Sequence, residues 1–183
     1  MEKIIKKINR LLQTKSIFVV GIDGPCASGK TTLAKKIAAE TGAQVIHIDD
    51  FFLPAKMRTA DSLNTIGGNI DTARFVDEIS RGISLKIPTE YGIYDCKEGR
   101  ITKIKTLKPE GIIIIEGAYS NLPELCIDYD LKIFVEAPLS VRLNRIQARN
   151  ADSLNSFINI WIPLENKYFE AYPIKESCDF IVE

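Results

Sequence analysis

The chain lacks any surplus of charge. Its 24 acidic residues balance its 24 basic ones across 183 positions. No basic tail or polybasic patch stands out, so a specific nucleic-acid partner is not expected, although small anionic ligands remain compatible. The four cysteines, Cys26, Cys96, Cys126 and Cys178, form no CxxC pair. That spacing argues against a zinc or dithiol site and fits a reducing, cytoplasmic setting. No apolar run is long enough to span a bilayer. The opening MEKIIKKINRLLQTK has neither a continuous apolar core nor a small-residue cleavage site, so it does not read as a signal peptide. Repeats, low-complexity tracts and interdomain linkers are also missing. At this length the chain reads as a single domain, 1–183, able to bury a sizeable core.

What is present begins at Gly24. Residues 24 to 31, Gly-Pro-Cys-Ala-Ser-Gly-Lys-Thr, complete a phosphate-binding loop of the form GxxxxGK(S/T). Glycine at positions 24 and 29 permits backbone angles that a Cβ would block. The N–H groups of Ala27, Ser28, Gly29 and Thr32 can then turn toward phosphate oxygens at the positive end of the following helix. Lys30 adds a point charge, and Thr31 offers a hydroxyl to Mg²⁺. Ser16 to Ile22 is an apolar, β-branched strand pattern, and Thr31 to Glu40 is a helical one, so the loop lies in the required context.

Further along, apolar runs alternate with helical patterns, which predicts an α/β fold with a five-stranded parallel sheet flanked by helices. Strands are expected near 16–22, 44–48, 111–115, 131–135 and 179–182. Helices are expected near 2–14, 30–41, 71–82, 138–150 and 156–170. Residues 1–15 form an amphipathic leading helix, read as packed on the domain. Asp71 is the expected N-cap and Gly82 the expected stop of the third helix, and Pro138 opens the fourth. Residues 53 to 70 read as a loop with Gly67-Gly68 as its flexible point. Residues 86–109 read as an antiparallel hairpin that covers an acceptor, with turn residues at Gly92 and Lys97 to Gly99. A short lid region is expected over 142–156.

Several residues carry chemistry. Ligands gather at the carboxyl ends of parallel strands. Asp49 and Asp50 follow the second strand there, as a proton acceptor, a partner for hydrated Mg²⁺, or caps of the next turn. Asp49 is the favoured acid. The only histidine, His47, reads as a satisfied strand residue in preference to a substrate contact. Ile112 to Ile115 end in Glu116, a costly position for an unpaired charge and a natural one for orienting Mg²⁺. Arg142, Arg145 and Arg149 share one helix face, where Arg145 or Arg149 is expected to reach phosphates or, in the alternative, the face is simply solvated. Tyr91, Tyr94, Asp95 and Arg100 offer an acceptor pocket. Asp71, with Asn69 and Arg74, offers a sugar-hydroxyl site. Trp161, Tyr168 and Phe169 read as core. A guanine-reading Asn-Lys-x-Asp is missing, since the only Asn-Lys runs Asn166-Lys167-Tyr168-Phe169, which argues against a GTPase.

Gly24 to Thr32, then Asp49-Asp50-Phe51-Phe52, then Ile115-Glu116-Gly117, then Arg142-Leu143-Asn144-Arg145 together resemble the uridine kinase-like family of P-loop kinases, the group that includes phosphoribulokinase and pantothenate kinase relatives. The resemblance runs from about Ser16 to the C-terminus. It implies a three-layer P-loop NTPase fold and transfer of a phosphoryl group from ATP, with Mg²⁺, to a hydroxyl of a small-molecule acceptor. It implies that Asp49 is the base, that Thr31, Asp49 and Glu116 surround the metal, and that Arg145 and Arg149 belong to the lid. Asp50, Phe52, Asp71, Tyr94, Asp95 and Arg100 match the acceptor side. Two departures stand there. Cys96 to Arg100 lacks the histidine that follows Tyr-Asp in uridine kinases, and Arg149-Asn150-Ala151-Asp152 lacks the usual lid sequence. Phosphoryl transfer is therefore implied, whereas uridine as the acceptor is not: the alternatives are a nucleoside-like compound or one of pantothenate or sugar type. A nucleotide-binding regulator is the non-enzymatic alternative. Dimers and tetramers occur among such kinases, and no surface stripe in this sequence selects one.

Overall fold

The computed structural model describes residues 1–183. In chain order it runs α1 (Glu2–Leu12), β1 (Ile17–Asp23), α2 (Lys30–Thr41) and β2 (Gln44–His47). Short turns of 3₁₀ helix (Ile48–Phe51, Ala55–Met57) lead to α3 (Ala60–Asn64). Then come α4 (Thr72–Phe75) and α5 (Arg81–Leu85), joined by a π turn at Val76–Ser80. Next are β3 (Thr89–Asp95), β4 (Arg100–Leu107), β5 (Gly111–Glu116), β6 (Leu131–Val135) and α6 (Leu139–Arg149). A second π turn, Phe157–Trp161, joins α7 (Leu154–Ser156) to α8 (Ile162–Ala171), and β7 (Phe180–Val182) closes the chain.

Five strands make one sheet in the order β2-β5-β1-β6-β7, and every neighbouring pair is parallel. Successive side chains on a strand point to opposite faces. Phe18, Val20 and Ile22 of β1, with Ile112 and Ile114 of β5, pack beneath Ile4 and Ile8 of α1 and Leu33, Ala34 and Ile37 of α2. Val19, Ile113 and Ile115 face the other way, into a core with Phe75, Ile79 and Tyr168. Each fully buried isoleucine contributes roughly 1.5–3 kcal/mol. The two cores fix the carboxyl edge of the sheet, where β1, β2 and β5 end side by side. The leading helix is packed as expected, through Ile4 and Ile8. No helix is long and apolar enough to cross a membrane.

β3 and β4 form a separate antiparallel pair. Arg74 fastens it to the sheet edge: one Nη donates to the Gly92 carbonyl at 2.9 Å, the other to the Asp50 carbonyl at 2.5 Å. Glu78 accepts from the Gly92 amide at 3.0 Å, so both backbone groups of Gly92 are held from one helix.

Local readings differ from the structure at the glycines. Gly82 does not end its helix. It lies inside α5, buried against Thr89, whose Oγ1 would stand 2.6 Å from an added Cβ. The stop is Lys86, in left-handed conformation at φ 56°. Gly92 is not a turn residue but mid-strand, because Ile101 crosses its face 2.8 Å from where a Cβ would be. The 53–70 segment holds a 3₁₀ turn and α3, and Gly68 lies against the Ser62 carbonyl, so that hinge point is tightly packed.

Candidate active site

The phosphate loop joins β1 to α2. Gly24 adopts φ 138°, and a Cβ there would fall 2.0 Å from the Val135 carbonyl of β6, so only glycine fits. The amides of Ala27, Gly29, Lys30, Thr31 and Thr32 make no hydrogen bond within the chain, which leaves five donors at a helix N-terminus. The buried Ser28 hydroxyl is likewise unpartnered. Lys30, almost fully buried, folds over the loop and donates to the Gly24 carbonyl at 2.7 Å and the Pro25 carbonyl at 2.9 Å.

Two acids missed as loop supports hold this segment from below. Asp23, the last residue of β1, is wholly buried. It accepts from the Gly24 amide at 2.7 Å, the Asn121 amide at 2.9 Å and the Tyr168 hydroxyl at 2.8 Å. Burial raises its pKa, and these three donors oppose the rise. Glu165 of α8 accepts from the Cys26 amide at 2.9 Å, and burial raises its pKa as well. The Cys26 thiol is pushed up to about 12, by burial first and then by Glu165, so it stays protonated within the loop. The signal for Asp23 was available, since an apolar strand that ends in an acid is the same pattern that marked Glu116.

Glu116 lies beside His47 because β5 and β2 pair in parallel with those two residues in register. His47 Nδ1 stands 2.5 Å from Glu116 Oε1, and the Thr31 hydroxyl donates to the same oxygen at 2.9 Å. The hydrogen bond to Glu116 raises the histidine pKa above its ordinary value, with burial opposing. His47 is therefore a satisfied strand residue, as its position suggested. Asp49 and Asp50 do not cap the 3₁₀ turn that they occupy. Asp49 opens into the cleft, yet the surrounding walls desolvate it, and with the Glu116 charge they raise its pKa. Asp50 keeps one buried carboxylate oxygen without a partner.

From α6, Arg145 Nη1 donates to the Ala27 carbonyl at 2.9 Å and the Ser28 carbonyl at 2.8 Å. Arg142 is buried against Cys26, and Arg149 is exposed, its positive charge lowering the pKa of Asp49. This face is thus turned to the loop.

The acceptor-side residues divide. Phe52 and Tyr94 are brought near Trp161 through a shared contact with Arg58, and Trp161 stacks on Phe52 at a centroid distance of 6.5 Å and lies outside the main core. Tyr168 and Phe169 are core, as read from the sequence. Tyr91 is core as well, stacked on Phe51. Asp71 caps α4 by accepting from the Arg74 amide, which leaves its second oxygen 3.8 Å from Arg74 Nε. Asp95 caps the hairpin turn through the Lys97 and Glu98 amides. Arg100 is exposed beside Glu98. Arg58, unremarked in the sequence, joins these three rings.

The donor set suits a triphosphate and a hard cation. Free amides and Lys30 match phosphate oxygens. Thr31, Asp49 and Glu116 supply oxygen ligands only, in keeping with Mg²⁺, which retains waters and takes one or two carboxylates. The chain forms no closed cage of three or more acidic, histidine or cysteine ligands.

No family model matches the chain. It is 28% identical over 187 residues to a uridine kinase of Bacillus mycoides, a match covering 92% of this chain and 86% of the relative. It is 25% identical over 184 residues to a uridine kinase of Clostridium perfringens, covering 89% and 85%. A protein from Bacillus stearothermophilus, described as a possible uridine kinase, shares the fold with a TM-score of 0.73 at 20% identity, over 99% of this chain and 100% of that one.

Proposed function

We propose that this chain, whose likeness is to the uridine kinase-like P-loop kinases, is a small-molecule kinase that moves the γ-phosphoryl group of ATP to a hydroxyl. The observation that carries the reading is the meeting of Lys30, the Thr31–Glu116–His47 chain and Asp49 at the carboxyl ends of β1, β2 and β5. Mg-ATP, when bound, supplies the phosphoryl group. The free amides from Ala27 to Thr32, with Gly24 and Gly29 shaping the loop, bind phosphate oxygens, and Lys30 balances their charge. Thr31, Asp49 and Glu116 would hold the metal. Glu116 is kept in place by Thr31 and His47, so its orientation is set before any ligand arrives.

Asp49 takes the acceptor's hydroxyl proton. Its raised pKa makes it a better base than an ordinary aspartate. Arg145 and Arg149 stabilise charge on the transferred group from the lid side. The acceptor is a nucleoside-like compound seated among Asp50, Phe52, Asp71 and Tyr94, with Asp95 and Arg100 shaping the hairpin that covers it. The test is a Mg-ATP turnover assay against uridine, cytidine, other nucleosides, pantothenate and phosphorylated sugars. Asp49→Asn should keep nucleotide binding and lose transfer by roughly 10²–10⁴-fold. Undiminished turnover in that variant refutes the base assignment. ATP binding with no phosphorylated product from any compound in the panel refutes the kinase reading.

A further inference from the structure

Arg58 lies between the Ala55–Met57 turn and α3. Its guanidinium carbon lies 5.4 Å from the ring centroid of Phe52, 5.8 Å from Trp161 and 6.0 Å from Tyr94. The three rings come from separate segments: the loop after Asp49, the π turn ahead of α8, and β3. Such contacts hold a cation but do not neutralise it. Arg58 Nε donates to the Leu53 carbonyl at 2.6 Å, which fixes the plane of the group. Arg74, Arg81 and Arg100 each reach a carboxylate, and Arg58 reaches none. Its two terminal nitrogens meet no oxygen acceptor, only the Cys96 thiol, in a half-buried position walled by aromatics.

Two of the rings connect this group with the chemistry. Phe52 directly follows the Ile48–Phe51 turn that carries Asp49, and β3, which carries Tyr94, packs against that turn. At the sheet end Asp49, Asp50 and Glu116 stand among Lys30, His47 and Arg74, whereas Arg58 is the cation among the three rings. A guanidinium held flat presents a fork that fits a carboxylate or a phosphate.

We propose that Arg58 is a specificity-determining residue that binds an oxyanion, carboxylate or phosphate, on the acceptor itself. Resting on the kinase reading above, but taking the pantothenate or sugar type of acceptor in place of a neutral nucleoside, this makes the acceptor an anionic hydroxy compound. Its anion is drawn to Arg58, which leaves a hydroxyl of the same compound free to face Asp49.

Trp161 is the only tryptophan and stands beside Arg58, so its emission reports directly on this position. The experiment titrates the protein with matched compounds: pantothenate against panthenol, ribose 5-phosphate against ribose, and uridine as a neutral planar control. At least one anionic member should perturb Trp161 and bind roughly 10–100-fold more tightly than its neutral partner. The pair that responds tells carboxylate from phosphate. R58Q should abolish the preference, while R58K, a point charge without the fork, should keep part of it. Melting of each variant within a few degrees of the parent shows that the loss is local. Equal binding of neutral and anionic partners overturns the proposal, as does an R58Q that keeps the preference, or no response to any anion. ADP formation with uridine alone would leave the kinase reading standing and remove this one. Anion-dependent quenching without phosphoryl transfer to any compound would support Arg58 and remove the kinase reading.

Discussion

Replacing Tyr168 with phenylalanine would remove one oxygen and nothing else. The ring is fully buried and packs 4.9 Å from Tyr119, 4.9 Å from Phe169 and 5.8 Å from Tyr172, contacts that phenylalanine keeps. What disappears is the donor to Asp23 at 2.8 Å, while the Gly24 and Asn121 amides continue to donate to that carboxylate. Losing a hydrogen bond to a buried charged group costs roughly 1.5–3 kcal/mol. At about 2.1 cal/mol/K of melting entropy per residue, 183 residues give about 0.38 kcal/mol/K, so Tm should fall by roughly 4–8 °C. The pH dependence has a definite sign. Burial raises Asp23 above the usual carboxylate range in the folded state, so folding loses stability as pH rises through that folded value. Tyr168 softens the loss by donating to the ionised form. The gap between the parent and Y168F should therefore be widest at neutral pH and narrow on acidification. Circular-dichroism melts of both proteins between about pH 4 and 8 measure it. A Tm change under about 1 °C at neutral pH, or a gap that widens in acid, refutes the assignment.

Glu165→Ala removes the acceptor for the Cys26 amide and should weaken Mg-ATP binding by about tenfold or more, with Glu165→Gln milder because an amide oxygen can still accept. Calorimetric titration of both variants checks this, and an unchanged Kd in the alanine variant rejects it. The lone histidine gives an unambiguous NMR titration: His47 should titrate above its ordinary 6.5 in the parent and lower in Glu116→Gln, where burial is opposed only by the Asp50 and Asp49 charges. Because its folded pKa is raised, the His47–Glu116 pair contributes stability that is fully present below 6.5 and fades as pH rises through the folded value. Melts of the parent against His47→Gln across that range should converge at high pH.

The parallel strands and most helices were legible because their signals are local. Apolar runs such as Ile112 to Ile115 need no partner to be recognised, and Asp71 caps its helix with its own side chain. The glycines misled for the opposite reason. Gly82 and Gly92 are set by neighbours distant in sequence, Thr89 and Ile101, so their composition suggested breaks where the fold needed close approach. Asp23 followed a readable pattern, but its three donors come from segments up to 145 positions away. Arg58 had no signal at all: a single arginine in a loop acquires meaning only when three rings close around it.

The C-terminal helical segment explains why so much of the site was hidden. Trp161, Glu165 and Tyr168 recur at four and then three positions, which places them along one helical face. Trp161 stacks on Phe52, Glu165 holds the Cys26 amide of the phosphate loop, and Tyr168 donates to Asp23. Read as a periodic stripe, this face looks like ordinary core, and for Tyr168 it is. Its other two positions touch Phe52 and the phosphate loop, so one helical segment sets the spacing between those two parts. The π turn at Phe157–Trp161 lies at the Phe52 end of that segment.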